Sequence, residues 1–342
     1  MLKHGVTPDV WNTSHIYPIP KSSDSNTIDN FRPIALTPML RRIFESIFLE
    51  YLNSTEISKF IQYQAGFRKG YSTLTHSIIS HDLFYLSAEN KRPDRIFIDL
   101  KQAYDRVDND ILLKKVKDKS QSDLITTVIY MLFTNCHSTI SINGAISEPI
   151  KRGRGLFQGS LLSPFLFNVY IDDLIIKLSS NNMIPSALLF ADDIQLMPVD
   201  YCDATRLIKI VEDWCSINRM EINVKKSGFT GPSLWPLTIN GHSIPRPMSY
   251  KYLGLPINKE GINWLSFVTD CTTKSNKILK YMQVKGNNWP PITRLALFKS
   301  NIRSIWEYAA PLMALALSEV EFGLLEQAQQ GSLAWVVAEK SS

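Results

Sequence analysis

An apolar segment interrupted by two adjacent aspartates constrains the fold of this chain more than any other feature of its sequence. The segment ALLFADDIQLMPV, from Ala187 to Val199, places Asp192 and Asp193 between two strand-like stretches. Aspartate suits tight turns, so a turn between two short strands would tolerate these acids. It would not explain why there are two, because like charges about 4 Å apart repel each other by ~4 kcal/mol at an effective dielectric constant of ~20. A cation between the carboxylates would explain both features.

A third aspartate ends another apolar stretch. RIFIDL, from Arg95 to Leu100, is predicted to be a short buried strand that ends in Asp99. If this strand lies antiparallel to the first, Asp99 comes next to the Asp192–Asp193 turn. Three carboxylates at one point provide hard oxygen ligands, which suit Mg²⁺ that is also bound by substrate phosphates. Two such ions ~3.5–4 Å apart would activate an attacking oxygen and stabilise a leaving one in phosphoryl transfer.

Other acids of the sequence receive a different interpretation. YIDDL, from Tyr170 to Leu174, repeats the dipeptide inside a helical pattern, and we interpret Asp172 and Asp173 as a solvated helix face. Asp105 is interpreted as an acid in the first turn of a helix, where it compensates the helix dipole. The six histidines form no cluster, and no serine lies in a nucleophile-elbow pattern. The sequence therefore predicts no rival catalytic centre.

The composition indicates a soluble globular protein. The chain has 342 residues, 44% of them hydrophobic, which is enough for a sizeable core in one multi-lobed unit or two domains. Its four cysteines are scattered without CxxC pairs, as expected for free thiols in a reducing compartment. No apolar signal core opens the chain, and no apolar run approaches the ~20 residues of a membrane span. We therefore expect an intracellular protein, cytoplasmic and/or nuclear, without a membrane partner.

The net charge of +5 is modest, but it is unevenly distributed. The segment from Cys271 to Arg303 carries seven cations and no acid, so the rest of the chain is slightly acidic. The cations are Lys274, Lys277, Lys280, Lys285, Arg294, Lys299 and Arg303. A solvated helix face usually mixes both signs, and a block of one sign favours a polyanionic partner. The alternative is an ordinary basic surface helix.

The N-terminal segments predict a hairpin followed by a helix. HIYPIPK and FRPIAL flank a nine-residue polar loop, and we expect an antiparallel hairpin with Lys21 and Arg32 facing each other near its base. Thr37 and Pro38 are predicted to start the helix, with Thr37 as its N-cap. Apolar residues then recur at helical spacing, which indicates a stripe that faces the core. These residues are Leu40, Ile43, Phe44, Ile47, Phe48 and Tyr51.

The remaining segments alternate irregularly between short strands and helices. QAGFRKGYST is predicted to be a loop before a second helix, and the glycine-rich KRGRGLFQGSLLSP leads into a helix that ends near Leu178. Turns at Asn143–Gly144 and Asn240–Gly241 are typical of hairpins. YKYLGLPI is predicted to be one compact strand, and DATRLIKIVEDWCSI is predicted to be helical. Since no regular βαβ period is present, we expect an α+β fold rather than a doubly wound sheet.

The order of the motifs resembles that of one enzyme family. FIDLKQAYDRV, GLFQGSLLSPFLFNVYIDDL, LLFADDI, INVKKSG and YKYLGLPI are similar, in this order, to the palm motifs of reverse transcriptases, especially those of non-LTR (LINE-like) retrotransposons. IPK…NFRPI and QAGFRKGYST resemble the finger motifs of the same family. The resemblance runs from about Trp11 to the mid-330s. It implies a right-hand polymerase fold of the α+β class, with fingers, a palm that has a small antiparallel sheet, and a helical thumb.

The resemblance also implies domain boundaries. Residues 1–93 correspond to the fingers, 94–257 to the palm with a finger-like insertion at about 110–150, 258–311 to the thumb, and 312–342 to a C-terminal helical fragment. No endonuclease region is recognised before these motifs and no ribonuclease H region after them. We therefore expect a truncated copy, a fragment of a longer polyprotein or a domesticated gene.

The resemblance assigns roles to individual residues by their positions in the motifs. The metal-binding and catalytic positions are matched by Asp99, Asp192, Asp193 and Lys226, the last matching a lysine proposed to protonate the leaving pyrophosphate. The nucleotide-binding positions are matched by Lys21, Arg32, Tyr104, Gln158 and Gly159. The nucleic-acid-binding positions are matched by Arg68, by the primer grip Tyr252, Leu253 and Gly254, and by the thumb-like lysines Lys274, Lys277 and Lys280.

Several of these residues have an ordinary structural alternative. Tyr104 matches the bulky gate beneath the incoming sugar, and core packing is its alternative. Lys21 and Arg32 match cationic donors that bind a triphosphate. Their structural alternative is a solvated hairpin edge. Arg68 either touches the template or decorates a loop. Phe157 stands where many relatives have proline, a change expected to alter the stiffness of the loop more than its chemistry.

The implied activity is RNA-templated DNA synthesis. A primer 3′-hydroxyl attacks the α-phosphate of a deoxynucleoside triphosphate, with two Mg²⁺ ions, or Mn²⁺ in their place, bound by the aspartates. The expected partners are an RNA template, a DNA primer and deoxynucleoside triphosphates, and the sequence sets no oligomeric state. Two alternatives stay open. One is a catalytically idle or domesticated nucleic-acid-binding protein that keeps the fold, and the other is an RNA-templated enzyme such as an intron maturase or telomerase-like protein.

Overall fold

The computed structural model describes residues 7–21, 27, 30–85, 93–179, 185–286 and 288–337. The chain divides into two compact units. The first comprises Met1–Thr73, Asp94–Phe229 and Leu234–Pro245, and the second comprises Leu74–Pro93, Thr230–Ser233 and Arg246–Ser342. Most of the polar loop expected at 22–30 lies outside the described residues.

The first unit combines short strands with longer helices. Its strands are β1 Thr13–Pro20, β2 Phe31–Leu36, β3 Arg95–Asp99, β4 His137–Ile142, β5 Ala145–Ile146, β6 Ile150–Lys151, β7 Ala187–Phe190, β8 Asp193–Leu196, β9 Gly228–Thr230, β10 Thr238–Ile239 and β11 His242–Ser243. Its helices are α1 Met39–Asn53, α3 Ala103–Arg106, α4 Asn109–Ser120, α5 Asp123–Phe133, α6 Ser163–Ser179 and α7 Tyr201–Ile217. Short 3-10 turns occupy Asp9–Asn12 and Glu56–Ser58.

The second unit is mainly helical. Its helices are α2 Thr73–Tyr85, α8 Trp264–Gly286, α9 Pro291–Leu297, α10 Ser304–Glu307, α11 Ala310–Ala316 and α12 Glu319–Val337, with a π-helical stretch at Phe298–Arg303. A small antiparallel sheet joins β12 Tyr250–Tyr252, β13 Leu255–Asn258 and β14 Gly261–Ile262. YKYLGLPI is therefore not one strand, as the sequence predicted, because Leu253 and Gly254 turn the chain with φ of 46° and 87°.

A four-stranded sheet in the order β7-β8-β3-β9 lies at the centre of the first unit. β8 is antiparallel to both β7 and β3, so both of its backbone edges are hydrogen-bonded to a neighbouring strand. Helix α6 packs beside β7 and is buried along most of its length. An all-round apolar helix requires such an interior position. The mixed architecture with antiparallel sheets confirms the α+β prediction.

The predicted N-terminal hairpin is present, but its register differs at the base. β1 and β2 are antiparallel, with Ile19 opposite Arg32, while the backbone N–H of Lys21 donates to the carbonyl of Asn30 at 2.8 Å. Lys21 and Arg32 are therefore not direct partners across the hairpin. Helix α1 begins after Pro38 without a side-chain cap, so the prediction of Thr37 as the N-cap was wrong.

The apolar stripe predicted for α1 mostly faces solvent, so that prediction was wrong for four of its six members. The four are Leu40, Ile43, Ile47 and Tyr51, which are 45–67% exposed. Phe44 and Phe48 pack against the core of the first unit.

The buried face of α1 is instead centred on a charged pair. Arg41 Nε lies 2.7 Å from Glu45 Oε1, and neither side chain has exposed surface. Arg41 also donates to the carbonyls of Trp11 and Leu132 at 2.7 and 2.9 Å. Periodicity assigns charges to solvent because Arg and Glu are almost never fully buried unless paired. Because the charged pair is satisfied inside the protein, α1 turns Arg41 and Glu45 towards the core and most of the predicted apolar stripe towards solvent.

The solvated helix face that the sequence suggested is wrong for Asp172, whereas the Asp173 side chain keeps 43% exposure and is bound to two neighbours. Asp172 is 5% exposed, and its Oδ2 lies 2.5 Å from Lys119 Nζ. Asp173 accepts hydrogen bonds from Lys115 Nζ at 2.7 Å and from the indole Nε1 of Trp214 at 2.8 Å. Both acids thus form ion pairs that join α6 to lysines of α4, which is a structural role.

Other local predictions are confirmed. Asn143–Gly144 joins β4 to β5 and Asn240–Gly241 joins β10 to β11, with all four residues at positive φ. Type I′ turns need that conformation at both central positions. The four cysteines are free thiols. In the described part of the chain, no helix combines the length and apolar character needed to cross a membrane.

Candidate active site

Two neighbouring strands bring the three predicted catalytic carboxylates to one edge of the central sheet. Asp99 is the last residue of β3 and lies directly opposite Asp193, the first residue of β8. Asp192 occupies the turn between β7 and β8, next to Ala191, which adopts a φ of 56°. The antiparallel pairing inferred from the sequence is therefore confirmed. This pairing brings Asp99 at the end of β3 next to Asp192 and Asp193 at the turn between β7 and β8.

Burial raises the pKa of all three carboxyl groups, and repulsion by neighbouring aspartates adds to this effect at Asp192 and Asp193. Burial is the largest cause for Asp193, repulsion from Asp192 and Asp99 adds to it, and its pKa rises to about 6. Its side chain still reaches solvent, so this desolvation is partial. Asp192 is more enclosed, and burial together with repulsion from Asp99 raises its pKa. Carboxylates that disfavour one another's ionisation are relieved by a bound cation.

Asp99 is held by a segment whose role the sequence alone did not reveal. Burial raises its pKa, while the nearby Lys226 ammonium and a hydrogen bond from the side chain of Asn223 act in the opposite direction. The backbone N–H of Asn223 donates to the Asp99 carbonyl at 2.8 Å, and Ser227 Oγ accepts from the Asp99 N–H at 3.2 Å. Asn223 and Ser227 lie in the INVKKS stretch that was noted for Lys226. The position of Lys226 beside Asp99 thus follows from backbone pairing.

The donor set fits a divalent cation, although its side chains are not gathered into a closed cluster. Within the described residues, no three His, Cys, Asp or Glu side chains are grouped tightly enough to hold a metal ion. Three adjacent carboxylates that repel one another are nevertheless hard oxygen donors of the kind Mg²⁺ prefers. Side-chain movement at Asp99, Asp192 and Asp193 would be needed to complete the site.

Tyr104 lies close to the aspartates and is well packed. Its ring stacks on Phe167 with centroids 5.0 Å apart and meets Phe67 edge-on at 6.4 Å. Burial and the negative charge of Asp192 raise the pKa of its hydroxyl, so the group stays neutral. The position suits both interpretations offered by the sequence, a gate for the incoming sugar and a packing residue.

The loop that carries Gln158 and Gly159 is pinned to β2. The backbone N–H of Ala35 donates to the Gln158 carbonyl at 2.7 Å, and a Cβ on Gly159 would lie 2.4 Å from the Ala35 carbonyl oxygen. Gly159 also has a φ of 135°. Gly159 therefore has a structural requirement of its own, because any side chain would push the loop off the strand. Gln158 Nε2 donates to Asp105 at 3.3 Å, which orients its amide.

The buried pair of α1 supports the same loop from the other side. Glu45 Oε2 accepts from Ser160 Oγ and from the backbone N–H of Leu161, both at 2.9 Å. The Arg41 guanidinium lies 4.9 Å from the ring centre of Phe157. Phe157, the residue that departs from the family pattern, is therefore fixed between charged and aromatic neighbours. Sequence reasoning missed Arg41 and Glu45 because an i,i+4 pair looks the same on a surface helix.

The predicted cationic residues of the first unit have different surroundings. The Lys21 ammonium lies within electrostatic range of Asp99 and Asp105, whose pKa values it lowers slightly against the effect of burial. The side chain of Arg32 is exposed on β2. Arg68 donates to the carbonyls of Ile61 and Gln64 at 2.7 and 2.6 Å, so its guanidinium secures its own loop. Template contact by Arg68 stays a prediction.

In the second unit, the predicted primer grip is a tight turn. Tyr252 is 3% exposed, whereas Gly254 is exposed and Tyr308 Oη donates to the Leu253 carbonyl at 2.6 Å. The turn therefore presents backbone and not the Tyr252 ring. Gly254 has a φ of 87°, which favours glycine.

The basic segment divides into exposed and occupied cations. Lys274, Lys277 and Lys280 are exposed along α8. Arg294, by contrast, is 4% exposed and donates to the carbonyls of Trp289 and Trp335 at 2.9 and 2.7 Å. Arg303 pairs with Glu307 at 2.5 Å. The set of exposed cations that could contact a polyanion is consequently smaller than the seven cations of the segment.

The family model described as reverse transcriptase (RNA-dependent DNA polymerase) matches residues 19–257, a stretch that contains all three aspartates. The chain belongs to the reverse transcriptase family. The resemblance stated from the motifs is confirmed, since curated relatives are non-LTR retrotransposon proteins. One is a probable RNA-directed DNA polymerase from transposon BS of Drosophila melanogaster, 26% identical over 90% of this chain and 36% of the relative. Another is the type-1 retrotransposable element R2 polyprotein of Popillia japonica, 27% identical over 66% of this chain and 33% of the relative.

This reverse transcriptase-family chain thus spans about a third of the length of the curated relatives it matches. Among solved structures, apo telomerase from Candida tropicalis covers 97% of this chain and 64% of its own, at 12% identity and a TM-score of 0.53. Telomerase from Candida albicans with a fragment of telomeric RNA also covers 97% of this chain and 60% of its own, at 13% identity and a TM-score of 0.52. These likenesses show the right-hand polymerase fold.

Proposed function

We propose that this chain catalyses RNA-templated DNA synthesis, extending a primer 3′-hydroxyl with deoxynucleoside triphosphates. The observation that carries the proposal is the register of β3 against β8, which sets Asp99 opposite Asp193 and beside the turn that holds Asp192. Relatives named RNA-directed DNA polymerase support the same reaction. The chain would act as the polymerase part of a non-LTR retrotransposon protein.

The three aspartates are the proposed ligands of two Mg²⁺ ions, with Mn²⁺ as the alternative. When bound, such ions lower the pKa of an attacking hydroxyl and stabilise charge on the leaving oxygen. The residues of the chain supply the geometry: β3 fixes Asp99 and the β7–β8 turn fixes Asp192 and Asp193. Lys226 lies beside Asp99, which supports its proposed role as the donor of a proton to the leaving pyrophosphate. Positioning and electrostatics dominate phosphoryl transfer of this kind.

Nucleotide binding is proposed for residues around the same sheet edge. Lys21 and Arg32 would bind the triphosphate, and the electrostatic reach of Lys21 to Asp99 supports this role for the lysine. Tyr104 would exclude a 2′-hydroxyl, and the Gln158–Gly159 loop would contact the incoming nucleotide and the template.

Nucleic-acid binding is proposed for the second unit, with the β12–β13 turn as primer grip and the exposed lysines of α8 as backbone contacts. The domain assignment is part of the proposal: fingers at 1–93, palm at 94–257, thumb at 258–311 and a C-terminal helical fragment at 312–342. The partners would be an RNA template and a DNA primer.

Primer extension on an RNA template with Mg²⁺ and deoxynucleotides tests the function. We expect Asp192→Asn and Asp99→Asn to abolish extension while folding and template binding stay nearly intact, because each replaces a charged metal ligand with a neutral side chain of similar volume. The matched control is Asp173→Asn, which alters the second Asp–Asp pair in a structural position. Full activity in either of the first two variants would overturn the two-metal assignment.

The alternative is a catalytically idle nucleic-acid-binding protein that keeps the fold. It predicts template and primer binding without extension, and no difference between the parent and Asp192→Asn in Mg²⁺ binding measured by calorimetry. A parent that binds Mg²⁺ and extends primers excludes it.

A further inference from the structure

A buried glutamine lies against the turn that carries the catalytic aspartates. The Gln64 side chain has no exposed surface, and its Oε1 accepts hydrogen bonds from the backbone N–H of Ala191 at 3.1 Å and of Gly66 at 3.0 Å. Ala191 directly precedes Asp192. The N–H that leads into the aspartate pair is thus bonded to a side chain from a loop that lies 127 positions away in the sequence.

The loop follows β7 closely enough for this contact to be fixed. The backbone N–H of Ala65 donates to the Leu189 carbonyl and the N–H of Leu189 donates to the Tyr63 carbonyl, both at 2.9 Å. These two bonds make residues 63–65 a short parallel partner of β7, with Gln64 opposite Leu189. The position of the Gln64 side chain is therefore set by backbone pairing and not by its own rotamer alone.

Gly66 allows the loop to pass directly over the turn. A Cβ at Gly66 would lie 2.3 Å from the Ala191 nitrogen, a distance that real side chains do not tolerate. Asn168 of α6 donates from Nδ2 to the Gly66 carbonyl at 2.7 Å and is itself 1% exposed. Loop, turn and helix are in contact at this point, with Gln64 Oε1 as the acceptor shared by loop and turn.

The turn needs such support because its backbone is strained. Ala191 has a φ of 56°, and non-glycine residues adopt that conformation only when their surroundings impose it. Asp192 and Asp193 also repel each other, which favours any rearrangement that separates them. Release of the Ala191 N–H would let the turn relax and move both carboxylates.

We propose that Gln64 is a positioning residue. It holds the Ala191 N–H and thereby sets the orientation of Asp192 and Asp193 at the turn between β7 and β8. Its acceptor oxygen is the functional atom, and Gly66 and Asn168 keep the loop that carries it in place. The effect on catalysis rests on the proposed function, whereas the effect on the turn does not.

Hydrogen exchange tests the hydrogen bond without any need for activity. In the parent, the Ala191 amide is expected to be protected although it lies in a turn, and Gln64→Met is expected to raise its exchange rate about tenfold, the size of one net hydrogen bond. Gln195→Met is the matched control, because Gln195 is an equally buried glutamine on β8 of the same sheet. An unprotected Ala191 amide in the parent, or an equal rate in Gln64→Met and the parent, would overturn the proposal.

Primer extension then separates positioning from packing. Gln64→Met is expected to lower kcat by ~10–100-fold with little change in KM for the deoxynucleotide, since a displacement of ~1 Å in a catalytic group costs up to ~10²-fold. Gln195→Met is expected to keep the kcat of the parent. If Gln64→Met and Gln195→Met reduce activity equally, Gln64 only packs the core. If the parent itself is inactive, the proposed function fails and the exchange experiment alone decides the contact.

Discussion

The ring of Tyr104 stacks on Phe167, and its buried hydroxyl has no hydrogen-bond partner among the described residues. An unsatisfied buried hydroxyl destabilises a fold, so the ring and not the hydroxyl is the useful part of this side chain. Asp192 lies near enough to raise the pKa of the hydroxyl. Packing and proximity to the aspartates therefore coincide at one residue, and only substitution can separate them.

Tyr104→Ala is expected to admit ribonucleotides far more readily while extension with deoxynucleotides continues, because the ring binds neither metal nor phosphate. The measurement is the ratio of ribo- to deoxynucleotide incorporation at matched amounts of folded protein. Tyr104→Phe is the control: it keeps the ring, so the ratio should stay at the parental value and stability should rise or stay equal. A decrease of ~3–5 kcal/mol in stability with an unmoved ratio would identify Tyr104 as core alone.

His76 gives the second unit a predictable response to acid. The residue is 1% exposed, and burial lowers its pKa to about 4. Above the unfolded-state pKa of ~6.5 both states are neutral, and as pH falls from there the unfolded state binds the proton first. Stability from this group is therefore full above pH ~6.5, declines between pH ~6.5 and ~4, and is constant below.

His76→Phe removes that titration. Denaturant unfolding at pH 7 and pH 5 should show a fall in stability that is about 2 kcal/mol larger in the parent than in the variant. His242→Gln, at an exposed position of β11, should behave as the parent. Identical falls in the parent and His76→Phe would contradict the assignment.

At the scale of elements, the buried ion pair of α1 connects this helix to Trp11, to α5 and to the loop that carries Gln158 and Gly159. Glu45 receives Arg41 on one oxygen and Ser160 with Leu161 on the other. Such a pair contributes little net stability, since desolvation offsets its attraction, but removing one partner leaves an uncompensated buried charge. The specific contribution of the pair is to hold residues 160 and 161 in position.

Glu45→Ala is therefore expected to destabilise the first unit by ~3–5 kcal/mol. The double variant Arg41→Met/Glu45→Leu should recover most of that stability but not the deoxynucleotide KM, because the anchor for residues 160 and 161 is gone. Denaturant unfolding and primer extension measure the two effects. Lys59→Ala, which breaks the exposed Glu56–Lys59 pair, is the control and should change stability by less than ~1 kcal/mol. A double variant with parental KM would contradict the anchoring role.

Helix α8 has a buried apolar face and an exposed basic face. Trp264, Phe267 and Leu279 are buried, while the lysines at 274, 277 and 280 lie on exposed positions. The helix can therefore be stripped of those lysines while it keeps its core.

Replacing Lys274, Lys277 and Lys280 with alanine should reduce the slope of log affinity against log salt by ~0.9 for each phosphate of a duplex that the variant no longer binds. Binding titrations at several salt concentrations give that slope, and processivity should fall with it. Lys114→Ala/Lys209→Ala removes exposed lysines of the first unit and should leave the slope unchanged. An unchanged slope in the triple variant would make α8 an ordinary surface helix.

At the scale of the whole molecule, family membership rests on residues 19–257, whereas the neighbouring polymerase folds extend over almost all of the chain. Both compact units include segments that are distant in sequence: α2 joins the second unit although β3 follows it in the first. The two units therefore do not correspond to two consecutive stretches of the sequence. Identity of 12–13% to the solved structures shows that the architecture tolerates nearly complete substitution of its residues.

The sequence by itself determined the parts of the molecule that depend on local chemistry. The strand-turn-strand around Asp192, the strand ending in Asp99, and the Asn–Gly hairpins each follow from periodicity and turn preferences over a few residues. Motif order also determined the family. These signals need no knowledge of distant partners.

The tertiary structure alone decided which polar groups are buried. Sequence reasoning placed Asp172 on the surface and did not single out Arg41 or Glu45, yet all three are buried because a partner far along the chain satisfies each of them. The contact from Gln64 to Ala191 spans 127 positions and has no local signature. Burial of a polar side chain depends on whether its hydrogen bonds are satisfied, and that is a property of the assembled fold, which no window of the sequence contains.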